Sequence, residues 1–255
     1  MLGEIGDFVI VTALVKTGIG KEICDDSVFN GENIISQDAV IVFEKIESSW
    51  FAVADGVGGN AGGHEASTYL LDYIQCNYEK TDDEAALELL LKDANISLID
   101  NAQKIAGKEQ MATTFTGVFF CNEGLKIAHS GNTRLYALQG NYLKQLTSDH
   151  TTYQWLIRQG NYEAAEMCNK SEIISCFGGG DNDLLKMLSV ETILMESIPN
   201  TLIMTSDGIH DYVDIDTFEE ILCEPIPIKE RVVKLWKKAQ ELGSSDDCSV
   251  LIMER

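Results

Sequence analysis

A largely apolar run over residues 8–15, broken only by Thr12, predicts a buried strand near the start of the chain. Apolar runs over 39–44 and 50–54 predict two more, and the polar stretch 45–49 between them predicts a hairpin. The period then changes. Tyr69, Leu70, Tyr73 and Ile74 recur at helical spacing within 65–78, as do Ala85, Leu89, Leu90, Ala94, Leu98 and Ala102 within 83–105, so a pair of helices is expected. Strands return over 114–121 and 125–129 around Asn122-Glu123-Gly124, and over 134–138 and 142–145 around Gln139-Gly140-Asn141. A helix is expected over 151–160. Residues 161–186, polar and carrying Gly178-Gly179-Gly180, read as a mobile or variable surface segment. Strands over 190–194 and 201–205, helices over 217–222 and 228–242, and a strand over 248–253 complete the pattern. Strands in hairpins and helices in pairs indicate a layered α+β domain rather than a doubly wound sheet.

Composition narrows the class. The 255 residues suit one domain with a real core, and three prolines with no Ser/Gly tract leave no linker to divide it. No apolar run is long enough to span a bilayer, and no charged-then-apolar leader is visible, so the expectation is a cytoplasmic protein made without export. Seven cysteines, an odd number with no Cys-x-x-Cys pair, fit free thiols in a reducing compartment. A formal charge of −22 repels nucleic acid and anionic membranes, so neither is an expected partner.

Most of the carboxylates behind that charge read as a solvated surface. A few stand in a different context. Asp55 ends the strand over 50–54 and is followed by Gly56-Val57-Gly58-Gly59. Asp207 follows the strand over 201–205 and precedes Gly208, Asp246 precedes the last strand, and Asp38 precedes the strand over 39–44. A carboxylate at a strand end is held by rigid backbone, and an adjacent glycine lets a backbone carbonyl approach a cation. Mg²⁺ and Mn²⁺ seek six oxygens of these kinds. Asp-Gly after a strand is also an ordinary turn signal, and spacing alone does not bring these four residues together.

Taken with their neighbours, these residues resemble the PPM type of metal-dependent protein phosphatase in its compact bacterial form. The segments that carry the resemblance are Ser36-Gln37-Asp38-Ala39, the run from Phe51 through Asp55-Gly56 to Gly63, Met111-Ala112-Thr113-Thr114, Ser130-Gly131-Asn132-Thr133-Arg134, Leu146-Thr147-Ser148-Asp149-His150, Thr205-Ser206-Asp207-Gly208-Ile209 and Ser245-Asp246-Asp247-Cys248-Ser249-Val250. They fall in family order over nearly the whole chain. The resemblance implies an α-β-β-α sandwich: two antiparallel sheets with a helix pair on each outer face, in one domain over 1–255. It implies two Mn²⁺ or Mg²⁺ ions in a cleft at one end, bridged by Asp55. The Gly56 carbonyl would complete one site, Asp207 and Asp246 would bind the other, and Asp38 would act close by. Residues 151–186 would be a flap beside the cleft. The implied substrates are phosphoserine and phosphothreonine proteins, with a cognate Ser/Thr kinase as the opposing activity, and the implied state is monomeric. Two ions roughly 3.5–4 Å apart supply hydroxide near neutral pH for in-line attack on phosphorus.

The chain departs from the family pattern at several positions. An arginine that grips phosphate usually stands five residues before the first metal aspartate. Counting from Asp38 that position is Asn33, a weaker grip. An alternative alignment uses Asp25-Asp26-Ser27 as the first motif and puts Lys21 in the arginine's place. The short distance from Asp38 to Asp55, suited to a hairpin, favours Asp38. Asn60 stands where bacterial members carry a histidine, and His64 is the remaining candidate general acid. Asn132 replaces an aspartate linked to a third ion, which is therefore not expected, and Asp247 replaces an asparagine. These departures frame a second reading, a pseudo-phosphatase that holds a phosphoprotein or kinase without efficient turnover.

Overall fold

The computed structural model describes residues 10–44, 48–57 and 61–255. Among them, two six-stranded antiparallel sheets lie face to face. The first runs β10 (Tyr142–Gln145), β9 (Arg134–Gln139), β13 (Thr201–Thr205), β14 (Cys248–Glu254), β1 (Ile10–Lys16), β4 (Ala39–Glu44). The second runs β12 (Ser189–Leu194), β8 (Gly124–Ser130), β7 (Phe115–Phe120), β5 (Trp50–Asp55), β2 (Asp26–Phe29), β3 (Ile34–Ile35).

Strand alternation explains the layers. Val11, Ala13 and Val15 of β1, Leu251 and Met253 of β14, and Phe51 and Val53 of β5 fill the space between the sheets. The alternate residues of the same strands face outward and are also buried. Leu14, Val250 and Ile252 meet Phe218 of α6 (Ile215–Leu222) and Val232 and Leu235 of α7 (Ile228–Glu241). Trp50, Ala52 and Ala54 meet Leu70 and Ile74 of α1 (Gly63–Asn77) and Leu91 and Leu98 of α2 (Glu84–Ala102). The result is the layered α-β-β-α sandwich that the family resemblance implied.

Three sequence expectations are corrected. The strands over 39–44 and 50–54 are not a hairpin. Strand β4 pairs with β1 at the edge of the first sheet, while β5 lies inside the second between β7 and β2. The missing partner of β5 is β2, a strand of four residues, all buried, that opens on Asp26-Ser27 and so shows no apolar alternation. Finally, the segment over 161–186 is not all surface. After α3 (Thr152–Arg158) and α4 (Tyr162–Met167), the two residues of β11 (Phe177–Gly178) pair with β6 (Ala112–Thr113), and Phe177 is fully buried. Gly178 has a φ of 82°, and a Cβ there would lie 2.4 Å from the Met111 carbonyl oxygen, so this glycine serves close packing.

Candidate metal centre

The register of β2 on β5 sets Asp26 directly opposite Asp55 at the same end of the second sheet. Asp55 is held through its backbone: its N–H donates to Thr114 Oγ1 at 3.1 Å, and its carbonyl accepts from Thr114 N at 2.8 Å and Thr113 Oγ1 at 3.0 Å. That is the physical work of Thr113-Thr114 in the motif. Gly56 N donates to the Asp25 carbonyl at 3.1 Å, and a Cβ on Gly56 would come within 2.4 Å of Gly63, so only glycine lets α1 begin this close to β5.

The other two aspartates arrive from the first sheet. Asp207 opens the short helix α5 (Asp207–His210) after β13, and its Oδ2 accepts from Asn132 Nδ2 at 2.9 Å. Gly208 lies against the loop before β14, where a Cβ would fall 1.9 Å from the Asp247 carbonyl oxygen. Ser244 Oγ donates to the Gly208 carbonyl at 2.8 Å, which ties α5 to the segment carrying Asp246.

The four carboxylates feel one another. Burial first, then Asp207, Asp26 and Asp246, holds Asp55 well above the usual carboxylate range. Burial, with the Asp247 and Asp207 charges, pushes Asp26 up to about 8. Burial and Asp246 push Asp207 up to about 6. Asp26 is 1% exposed, and neither carboxylate oxygen has a partner in hydrogen-bond geometry, the Ser206 and Ser249 hydroxyls included. A buried, unpaired carboxylate among like charges is costly unless a cation joins it. As the side chains stand, no three His, Cys, Asp or Glu groups among the described residues close into a coordination shell. Asp207 instead lies close enough to Asp55 to raise its pKa, and Lys21 sits against Asp246. The donor set, carboxylates beside a glycine carbonyl, nevertheless fits a hard divalent cation.

Asp38 is not part of this cluster. It precedes β4 at the far edge of the first sheet and accepts from Thr17 N at 2.8 Å, Thr17 Oγ1 at 2.7 Å and Lys16 Nζ at 3.2 Å. Its hydrogen bonds from Thr17 hold its pKa below the usual value, the behaviour of a surface ion pair. Asp26, not Asp38, lies opposite Asp55, the arrangement expected of the alternative alignment on Asp25-Asp26-Ser27. Asn33 lies away from the cluster: it closes the turn from β2 to β3, with its N–H on Asn30 Oδ1 at 2.7 Å, at the other end of β2 from Asp26. Lys21, five residues before Asp26, is placed at the cluster: its ammonium lies 2.7 Å from Asp246 Oδ1 and 2.8 Å from Asp247 Oδ2.

His64 stands in the first turn of α1 with Nδ1 2.8 Å from the Cys24 carbonyl, so Nδ1 carries the proton and Nε2 is the free nitrogen. The cavity it lines includes Thr17, Cys24 and Asp38 and none of the four clustered aspartates. Asn60 lies outside the described residues. Asp247 does more than add charge. It is buried, and its two oxygens accept from Gly18 N at 2.7 Å, Asp25 N at 2.8 Å and Lys21, binding the loop before β2 to the loop before β14.

The fold and its carboxylates together define a layered sandwich with an acidic, cation-seeking end. Residues 30–237 match the family model described as Protein phosphatase 2C. The chain belongs to that family. The Serine/threonine phosphatase stp of Listeria monocytogenes is 27% identical over 217 residues, covering 80% of this chain and 83% of that protein. The Protein phosphatase PhpP of Streptococcus pneumoniae is 26% identical over 209 residues, covering 79% and 83%. Among solved structures, the serine/threonine phosphatase Stp1 from Staphylococcus aureus superposes with a TM-score of 0.79 at 22% identity over 100% of this chain and 98% of that one. The catalytic domain of PstP, solved in complex with two manganese ions, gives 0.74 at 23% over 96% and 98%. These structures speak for the fold. The family match begins after Asp26, so the place of that residue rests on the β2–β5 register.

Proposed function

We propose that the chain is a phosphoprotein phosphatase that hydrolyses phosphoserine and phosphothreonine at a pair of divalent ions, Mn²⁺ or Mg²⁺, held by Asp26, Asp55, Asp207 and Asp246. The observation that carries this reading is the buried Asp26 carboxylate, without a donor and facing Asp55 across two paired strands. Family membership and relatives named as serine/threonine phosphatases support it.

When bound, such an ion pair supplies a water of lowered pKa as nucleophile and offsets the charge of the phosphoryl oxygens. The chain's own residues do the positioning. Asp55, fixed at both backbone groups, is the central carboxylate that meets the other three, and the Gly56 carbonyl completes the set. Thr113 and Thr114 keep Asp55 from moving, which is where positioning contributes most. Asn132 orients Asp207 by donating to Oδ2, leaving Oδ1 for a cation. Lys21 is the cation at the mouth of the cluster and the residue to engage a substrate phosphoryl oxygen. The exposed Trp155 and Tyr162 of the 151–186 flap are suited to contact the protein around the phosphorylated residue. A Ser/Thr kinase is the expected source of the substrate.

A non-catalytic reading drew on Asn33 and Asn60; a lysine at the cluster, Lys21, speaks against the first of these, and Asn60 lies outside the described residues. The test is turnover of p-nitrophenyl phosphate and of a phosphothreonine peptide. Mn²⁺-dependent release of phosphate, abolished by EDTA and by Asp207→Asn, is expected. Tight phosphopeptide binding with no turnover in any divalent metal would refute it.

A further inference from the structure

Among the ion pairs of the described residues, the one that touches the aspartate cluster is Lys21 on Asp246. Its position is built rather than incidental. The loop that carries it is fastened to the loop carrying Asp246 by Ile19 N on the Ser245 carbonyl at 2.9 Å and by Gly18 N and Asp25 N on Asp247. A Cβ at Gly18 would lie 2.5 Å from the Ser245 carbonyl oxygen, so the two loops touch through backbone. The ammonium then contacts Asp246 Oδ1 at 2.7 Å, Asp247 Oδ2 at 2.8 Å and Asp25 Oδ2 at 3.6 Å. Of these, Asp247 is buried and satisfied by backbone donors, whereas Asp246 is half exposed.

We infer that Lys21 is an internal counter-cation. Its ammonium holds the Asp246 corner in the metal-free protein and must leave that carboxylate for a divalent ion to bind there. This rests on the reading of the cluster as a divalent-metal site. A full positive charge and a divalent ion bound to the same carboxylate oxygen repel at short range. The lysine stem has the freedom to swing, and Asp247 remains as its pivot. Ion entry therefore competes with Lys21 at one corner only, and makes that corner the weaker of the two. The displaced ammonium is then free for an incoming phosphate, so the metal-loaded state is also the state ready for substrate.

The test is calorimetric titration of Mn²⁺ into EDTA-stripped full-length protein, comparing wild type with Lys21→Met and Lys21→Gln. The weaker binding step should tighten about tenfold in both variants, the scale set by removing one charge-assisted contact, while the tighter step stays put. In the wild type, trace labelling with acetic anhydride should modify Lys21 faster in saturating Mn²⁺ than in EDTA. Unchanged or weakened Mn²⁺ affinity in both variants, or Lys21 labelling indifferent to metal, would overturn the inference. Absence of any Mn²⁺ uptake by the wild type and variants alike would instead remove the metal-centre reading itself.

Discussion

Two aspartates competed for one role, and the difference between them is physical. Asp38 is exposed and holds three donors, whereas Asp26 is buried and holds none. Asp26→Asn should therefore lower Mn²⁺ affinity by at least about 100-fold, the upper range seen even for residues that only support metal ligands. Asp38→Asn removes a surface pair worth little and should leave Mn²⁺ affinity within about twofold. Calorimetry on the two variants reads this directly, and the reverse ranking would restore the hairpin alignment. At this scale the sequence pointed to Asp55 and Asp207, each next to a glycine after an apolar strand, and to Asp246, which precedes the last strand. Asp26 was legible only through the second alignment, because the pairing that brings it opposite Asp55 leaves no trace in spacing. A short separation from Asp55 favoured Asp38, which the fold places at the far edge of the first sheet.

Strands and helices with a strong period were readable, and α1, α2, α7 and the strands around them lie close to their expected places. Two kinds of element escaped. Strand β2 is too short and too polar at its start to show a period. The Gly178-Gly179-Gly180 run looks like loop by composition, yet it serves a close approach to Met111 that only folded geometry reveals. Glycines elsewhere act in the same way on the site. Gly208 brings α5 against the loop before β14 and so sets the distance from Asp207 to Asp246. Gly208→Ala forces a methyl into the Asp247 carbonyl and should destabilise the fold by about 1–3 kcal/mol or more. That corresponds to a fall in Tm of several degrees for a domain of this size, together with weaker Mn²⁺ binding. A variant that melts and binds metal like the wild type would show that this contact is relaxed in solution.

Across the whole molecule, two sheets each deliver part of the cluster to one end of the sandwich, and the protein holds like charges together there. That arrangement makes stability depend on pH in a defined direction. Asp26, raised to about 8 from an unfolded value near 3.8, binds its proton more tightly in the folded state. Stability from this group is present below the unfolded value and is lost as pH rises through about 8. The buried His129 and His150, lowered to about 3 and about 4 from 6.5, act in the opposite sense, but only below about 6.5. From pH 6.5 to 8 the carboxylates act alone, so the Tm of EDTA-treated protein should fall with rising pH. Saturating Mn²⁺ should raise Tm and weaken that slope, because a ligand of the folded state shifts the equilibrium toward it and favours ionised carboxylates. A flat metal-free profile would argue against a strained acidic cluster.

Anomalous diffraction from crystals grown in Mn²⁺ decides whether carboxylates from both sheets gather around a pair of hard ions. Two manganese peaks should stand between Asp26, Asp55, Asp207 and Asp246, with Lys21 moved off Asp246. Peaks at Asp38, or a fully ordered acidic cluster with no manganese in it, would rule out this centre.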